Sequence, residues 1–302
     1  YKQTEEWEPY ADVMRRRVAL DVTEEQLVDL KFRLANTLNQ HLDDAPGALE
    51  NYREILFLNQ EHEGARLALE GMLEHEELSG EAAAILEAIY EAREDWERLI
   101  QAIEILVRSE ADPERRVQLL RKAAMTAANQ LQDVERAMDA QARALKENPA
   151  LADSRIELEG LADQANAWEK LIAIFAEIAK GLDDPELGRE YWMRLAGIQE
   201  RLEKVEDAAQ SYEKVLAIDP ADGEALQAMD ALYRRTEHWD ELITVYRRRI
   251  DLAAEGGERE SLYAQMAAVY EERLGRPDDA IAAYQEVLAL DPTSQIALTA
   301  LD

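Results

Sequence analysis

Carboxylate pairs are the commonest chemistry-bearing feature of the sequence: Asp43-Asp44, Asp183-Asp184 and Asp278-Asp279 recur along it. Such a pair can hold calcium or act as acid and base. A calcium loop needs oxygen ligands at alternating positions around a glycine turn, and Asp219 to Gly223 supplies only Asp219 and Asp222. The pairs also fall at expected helix starts, where a carboxylate caps free N–H groups and meets the positive end of the helix dipole. Capping is the expected role. The four histidines, His41, His62, His75 and His238, are scattered. None belongs to an HExxH arrangement or has a second histidine one helical turn away, as a zinc site on a helix requires. Gly256-Gly257 lacks the lysine and the preceding strand of a phosphate loop, and no serine lies in a strand-to-helix elbow. No catalytic residue, metal site or cofactor is expected.

Two basic triplets share a position: Arg15-Arg16-Arg17 follows Trp7, and Arg247-Arg248-Arg249 follows Trp239, by eight to ten residues each. Local pairing with acidic neighbours and an acidic partner on the outer face are both open readings. The net charge of −31, from 65 acidic and 34 basic side chains, repels phosphate backbones and anionic lipid. Nucleic acid is therefore excluded as a partner class, and an electrostatically steered protein partner should be basic. The same charge would also keep a leucine-rich surface soluble. Apolar runs such as Ala82 to Leu86 are too short to enter and cross a membrane. The absence of cysteine excludes disulfides and thiolate sites and leaves the compartment open.

The elements that carry these residues are helices. Hydrophobic residues make up 47% and charged residues 33%, with 12 Gly and 8 Pro, a composition rich in helix formers. Ala137, Ala208 and Ala280 open apolar helices at steps of 71 and 72 residues, and Pro149, Pro220 and Pro292 close them at the same steps. Trp96, Trp168 and Trp239 keep that period too. Each period holds two units the size of one helix–turn–helix. Recurrence at a solenoid period places Trp96, Trp168, Trp192 and Trp239 in the core rather than at a ligand. The apolar spacing predicts about seventeen helices, among them 4–20, 62–77, 80–93, 113–130, 258–274 and 293–302.

The segment Tyr263, Met266, Ala267, Tyr270, then Ala280, Tyr284, Val287 and Pro292 resembles the tetratricopeptide repeat. So do Trp192, Leu195, Ala196, Ala208, Tyr212, Val215 and Pro220, and Leu34, Ala35, Leu38, Ala48, Tyr52 and Ile55. A further copy, Leu120, Ala123, Ala124, Ala127, Ala137, Ala144 and Pro149, has Gln141 in place of the aromatic residue. Degenerate units alternate with these, an arrangement similar to long bacterial scaffold proteins of the family. The resemblance implies an all-α, right-handed superhelical solenoid of antiparallel helix pairs. Ala48 to Ala137 exceeds the period by about 17 residues, which marks an added helix. The expected organisation is one solenoid over 1–302, with N-terminal repeats over 1–77, the added helix within 78–94 and regular pairs over 95–302. The chain opens at Tyr1 without an initiator methionine or leader, and is expected to be a section of a longer repeat protein.

In this family the first helix of each repeat lines a concave groove that takes peptides or helices. The family's offsets place Phe32, Asn36, Asn39 and Gln40 there, then Gln118, Arg121, Met125 and Asn129, then Met193, Glu200, Glu271 and Glu272. Amides can bond a peptide backbone and methionine adapts to apolar side chains. Of the cluster with which some members clamp a carboxylate, only Asn36 and Arg121 are present, in separate repeats. The expected activity is a non-enzymatic scaffold for a basic or neutral protein partner. Self-association through open solenoid ends, where Ile296, Leu298 and Leu301 lie, is the alternative.

Overall fold

The computed structural model describes residues 6–20 and 22–301. The start of the helix expected over 4–20, and Asp302 at the end of that over 293–302, lie outside them. Among the described residues there are seventeen α-helices and no strand. Two compact units divide between Ala167 and Trp168. The first holds α1 (Trp7–Val18), α2 (Glu24–His41), α3 (Ala45–Leu58), α4 (Glu63–Met72), α5 (Ser79–Ala92), α6 (Trp96–Ser109), α7 (Pro113–Thr126), α8 (Val134–Glu147) and α9 (Ala152–Ala165). The second holds α10 (Trp168–Gly181), α11 (Pro185–Arg201), α12 (Val205–Ile218), α13 (Gly223–Arg235), α14 (Trp239–Leu252), α15 (Gly256–Glu272), α16 (Pro277–Leu290) and α17 (Gln295–Leu301). Consecutive helices within each unit pack side by side, the arrangement of an all-α solenoid.

Tight pairs form where the chain reverses through one left-handed residue. These are Asp43, Glu94 and Gln132 in the first unit, and Glu203, Glu237 and Gly275 in the second. The next N–H in each turn donates back to a carbonyl of the first helix, as in Asp95 to Tyr90 (2.9 Å) and Lys204 to Gln199 (2.9 Å). Buried alanines on both arms, Ala35 with Ala48 and Ala196 with Ala208, allow the helices to approach closely. By this geometry α5 pairs with α6, and α4 is a single short helix between two pairs. The face of α5 that carries Ala82, Ala83, Leu86, Ile89 and Tyr90 is buried in the core.

Two boundaries differ from expectation. The helix expected over 62–77 stops at Met72, and residues 73–78 form turns. Glu74, Glu76 and Glu77 would crowd the negative end of the helix dipole there. The helix expected over 113–130 is α-helical to Thr126 and widens into a π-helical turn over Ala127–Leu131. The carboxylates act as caps: Asp44 accepts from Gly47 N (2.9 Å), and Asp184 from Glu186 N (2.9 Å) and Leu187 N (3.2 Å). Asp279, in the first turn of α16, pairs with Arg276 at 2.6 Å. His62 caps α4 by accepting from Ala65 N.

Arginine and lysine side chains bridge residues about one repeat apart. Arg143 meets Glu104 (2.7 Å), Lys204 meets Glu169 (2.6 Å) and Arg276 meets Asp240 (3.1 Å). The second basic triplet is likewise paired, with Arg248 following this spacing and the other two reaching shorter distances along the chain. Arg247 donates to the Tyr270 hydroxyl (2.9 Å), Arg248 pairs with Glu213 (3.2 Å) and Arg249 with Asp230 (3.0 Å). In the first triplet, Arg15 pairs with Asp12.

Asp222 concentrates two of these devices. It caps α13 by accepting from Ala225 N (2.8 Å), and it is ion-paired by Arg189. The Arg189 hydrogen bond holds its carboxyl below the usual range. Its stabilisation is therefore complete at neutral pH and is lost as the pH falls through that lowered range. Asp222→Ala should cost about 1–3 kcal/mol in chemical denaturation. Asp222→Asn keeps a cap acceptor and should flatten the acid limb of stability against pH. An unchanged acid limb would remove this carboxylate from the acid response.

Candidate peptide-binding groove

The groove is built on α7. Asp112 caps the helix by accepting from Glu114 N (3.1 Å), and Pro113 occupies the first turn, where its missing N–H costs nothing. Val117, Leu120, Ala123 and Ala124 face the core. Gln118, Arg121, Met125 and Asn129 are spaced three and four residues apart and stand above one another on the other side. They line one cleft of about 860 Å³. Met125 is 57% exposed, so its flexible thioether is open to the cleft. A second cleft of about 460 Å³ shares Met125 and Asn129 and runs toward α9, so the two flank the same helix.

The basic side chains of the walls are already paired. Arg121 reaches Glu157 at 3.4 Å, and Lys122 bonds both Glu87 (2.9 Å) and Glu91 (2.8 Å). Burial works against the Lys122 charge, but the hydrogen bonds to Glu91 and Glu87 outweigh it and hold the ammonium above its usual pKa. At the far end, the hydrogen bond from Arg116 holds Glu147 below the usual carboxylate range. Glu114 borders the same cleft and has no cation partner among the described residues. The cleft thus offers amides, a flexible apolar side chain and an uncompensated carboxylate.

The other expected groove residues divide by environment. Phe32 packs against Tyr52 and His62, with ring centroids at 6.2 and 4.8 Å, and a side chain on Gly64 would collide with it. Asn36 accepts from the Tyr52 hydroxyl at 2.7 Å. Glu200 accepts from the Tyr212 hydroxyl and from Arg235, and Glu271 from the Tyr284 hydroxyl at 3.3 Å. Asn36, Glu200 and Glu271 are therefore engaged in joining the two helices of their own pairs. Asn39, Gln40 and Glu272 are exposed, and Met193 is half-buried. In the α7–α8 pair the tyrosine position holds Gln141, which donates to Glu157 instead, and the second cleft opens beside it. The missing aromatic, visible in the sequence, coincides with the open stretch of groove.

The tryptophans require a correction. Trp192 is in the core, but Trp96, Trp168 and Trp239 are only half-buried at the starts of α6, α10 and α14. Their period reflects a recurring, half-buried place at a helix start, and at Trp168 and Trp239 a ring face meets an arginine. The Arg201 guanidinium lies 4.8 Å from the Trp168 ring and that of Arg273 lies 5.2 Å from Trp239. No cluster of metal-ligating side chains occurs among the described residues, and no helix there is long and apolar enough to cross a membrane.

Comparison with known families finds tetratricopeptide-repeat matches at residues 190–222, 225–260 and 260–294. Among solved structures, the C-terminal part of a TPR repeat-containing protein from Cytophaga hutchinsonii is 16% identical, covers 83% of this chain and 98% of its own, and has a TM-score of 0.35. YrrB, described as a TPR protein with an unusual peptide-binding site, is 14% identical over 64% of this chain and 98% of its own, with a TM-score of 0.32. PilF of Pseudomonas aeruginosa is 14% identical over 91% of this chain and 97% of its own, with a TM-score of 0.30. A comparison with curated proteins finds no match.

The tyrosine hydroxyls that tie the pairs together set an alkaline limit. Burial pushes Tyr52 and Tyr246 up to about 12, and burial with the Glu200 hydrogen bond raises Tyr212 further. A raised value means that their contribution is complete below the ordinary tyrosine pKa and lost as the pH climbs through the raised one. Ultraviolet titration should show a late class of tyrosines ionising together with loss of helical circular dichroism. Ionisation of every tyrosine near the ordinary value, with the helices intact, would refute this.

Proposed function

From a chain that carries tetratricopeptide repeats, a fold that serves protein–protein interaction, we propose that the groove along α7 receives a peptide or helix of a basic or neutral partner protein. The observation that supports this most is the alignment of Gln118, Arg121, Met125 and Asn129 along one open cleft of about 860 Å³. An extended segment laid along α7 would find amide donors and acceptors at the two ends of the row, Gln118 and Asn129, for its backbone, and Met125 between them for an apolar side chain. The surrounding charge favours a basic segment: the wall cations are matched by carboxylates, Glu114 is unmatched, and the chain carries −31 overall. An acidic C-terminal tail has less to hold it, since Asn36 bonds Tyr52 and Arg121 faces Glu157.

A second reading, self-association, draws on α17, where Ile296 is 64% and Leu298 40% exposed. Light scattering over a dilution series separates the two, since a mass independent of concentration up to the millimolar range would exclude self-association. For the groove, dodecapeptides selected from a displayed library on the intact protein should bind about tenfold or more weakly to the Met125→Glu, Asn129→Ala double variant. Undiminished binding of all selected peptides would overturn the groove.

A further inference from the structure

Three of the tryptophans that open second helices are covered by a side chain from the end of the next first helix. His41 stacks on Trp7 with ring centroids 3.7 Å apart and planes within 2°. Arg201 covers Trp168 at 4.8 Å and Arg273 covers Trp239 at 5.2 Å. The register is constant: the covering residue follows its tryptophan by 33 or 34 residues and precedes the left-handed residue, Asp43, Glu203 or Gly275, by two. Trp96 belongs to the same series. Its covering position is Gln130, 34 residues on and two before the left-handed Gln132.

Glutamine brings no charge to that place. Among the described residues no arginine, lysine or aromatic ring lies over Trp96. Trp96 and Gln130 both border the α7 cleft, together with the unmatched Glu114. An indole face attracts a cation through the ring quadrupole, and the chain's net charge of −31 favours the approach of one. Gln130 also lies in the π-helical turn Ala127–Leu131, a distortion that often accompanies functional sites.

We infer that Trp96 is a receptor for an arginine or lysine side chain of the peptide bound along α7, which supplies in trans the cation that the neighbouring repeats supply from their own chain. The inference rests on the groove proposed above and names the side chain it selects.

The experiment follows the tryptophan indole N–H signals of the ¹⁵N-labelled protein, with Trp96→Phe assigning the signal of interest. N-acetyl-arginine amide at millimolar concentration should shift the Trp96 signal saturably and leave those of Trp168 and Trp239 in place. N-acetyl-citrulline amide, isosteric and uncharged, should shift none of them. Gln130→Arg restores the covering cation without truncating a packed residue, and should weaken the response about tenfold. A silent Trp96, an equal response to citrulline, or an undiminished response in Gln130→Arg would each overturn the assignment. Peptides that lose affinity in the Met125→Glu, Asn129→Ala protein while Trp96 stays silent would sink this inference and leave the groove standing.

Discussion

The reversal between the two helices of a pair is the constraint on which the rest depends. It is made by one left-handed residue, and of the seven left-handed residues here six, Asp43, Glu94, Gln132, Asn166, Glu203 and Glu237, are not glycine. A left-handed residue with a Cβ costs roughly 1–2 kcal/mol, which the returning backbone hydrogen bond and the buried helix faces must offset. What the turn fixes is register. Ala196 falls opposite Ala208, the Tyr212 hydroxyl reaches Glu200, and the residue two before the turn falls over the preceding tryptophan. A turn one residue longer would rotate the second helix by about 100° and break all of these relations at once.

The repeats differ in how the expected groove residues are engaged. In the pairs α2–α3, α11–α12 and α15–α16, a tyrosine of the second helix bonds a residue of the first and closes the inner face. The α7–α8 pair has Gln141 there, and clefts open on both sides of α7. The regular repeats act as the frame, and the irregular one leaves polar and apolar groups free to meet something else.

Helix number and most boundaries were legible because apolar spacing and capping residues such as Asp44 and Asp184 are local signals. The α7 residues were legible for the same reason, since positions three and four apart share a helix face whatever the neighbours do. Phe32, Asn36, Glu200 and Glu271 were placed on the inner side, but spacing cannot tell whether a tyrosine from the next helix reaches them. Nor do Asp43 or Glu203 announce a left-handed turn as glycine would. The tryptophan period was visible and its meaning was not, because recurrence reports a repeated environment without saying how deep it is. The joint recurrence of tryptophan and its covering residue 33 or 34 positions later carried the missing signal.

The ion pairs that join residues one repeat apart have a mechanical consequence. Arg143–Glu104, Lys204–Glu169, Arg235–Glu200 and Arg276–Asp240 recur within the two units between neighbouring helix pairs. Each is weak and open to solvent, so dissolved salt loosens it, while the apolar contacts inside each pair are not screened by salt. Within a unit, the stiffness between neighbouring pairs is therefore a function of ionic strength, and the helices themselves are not.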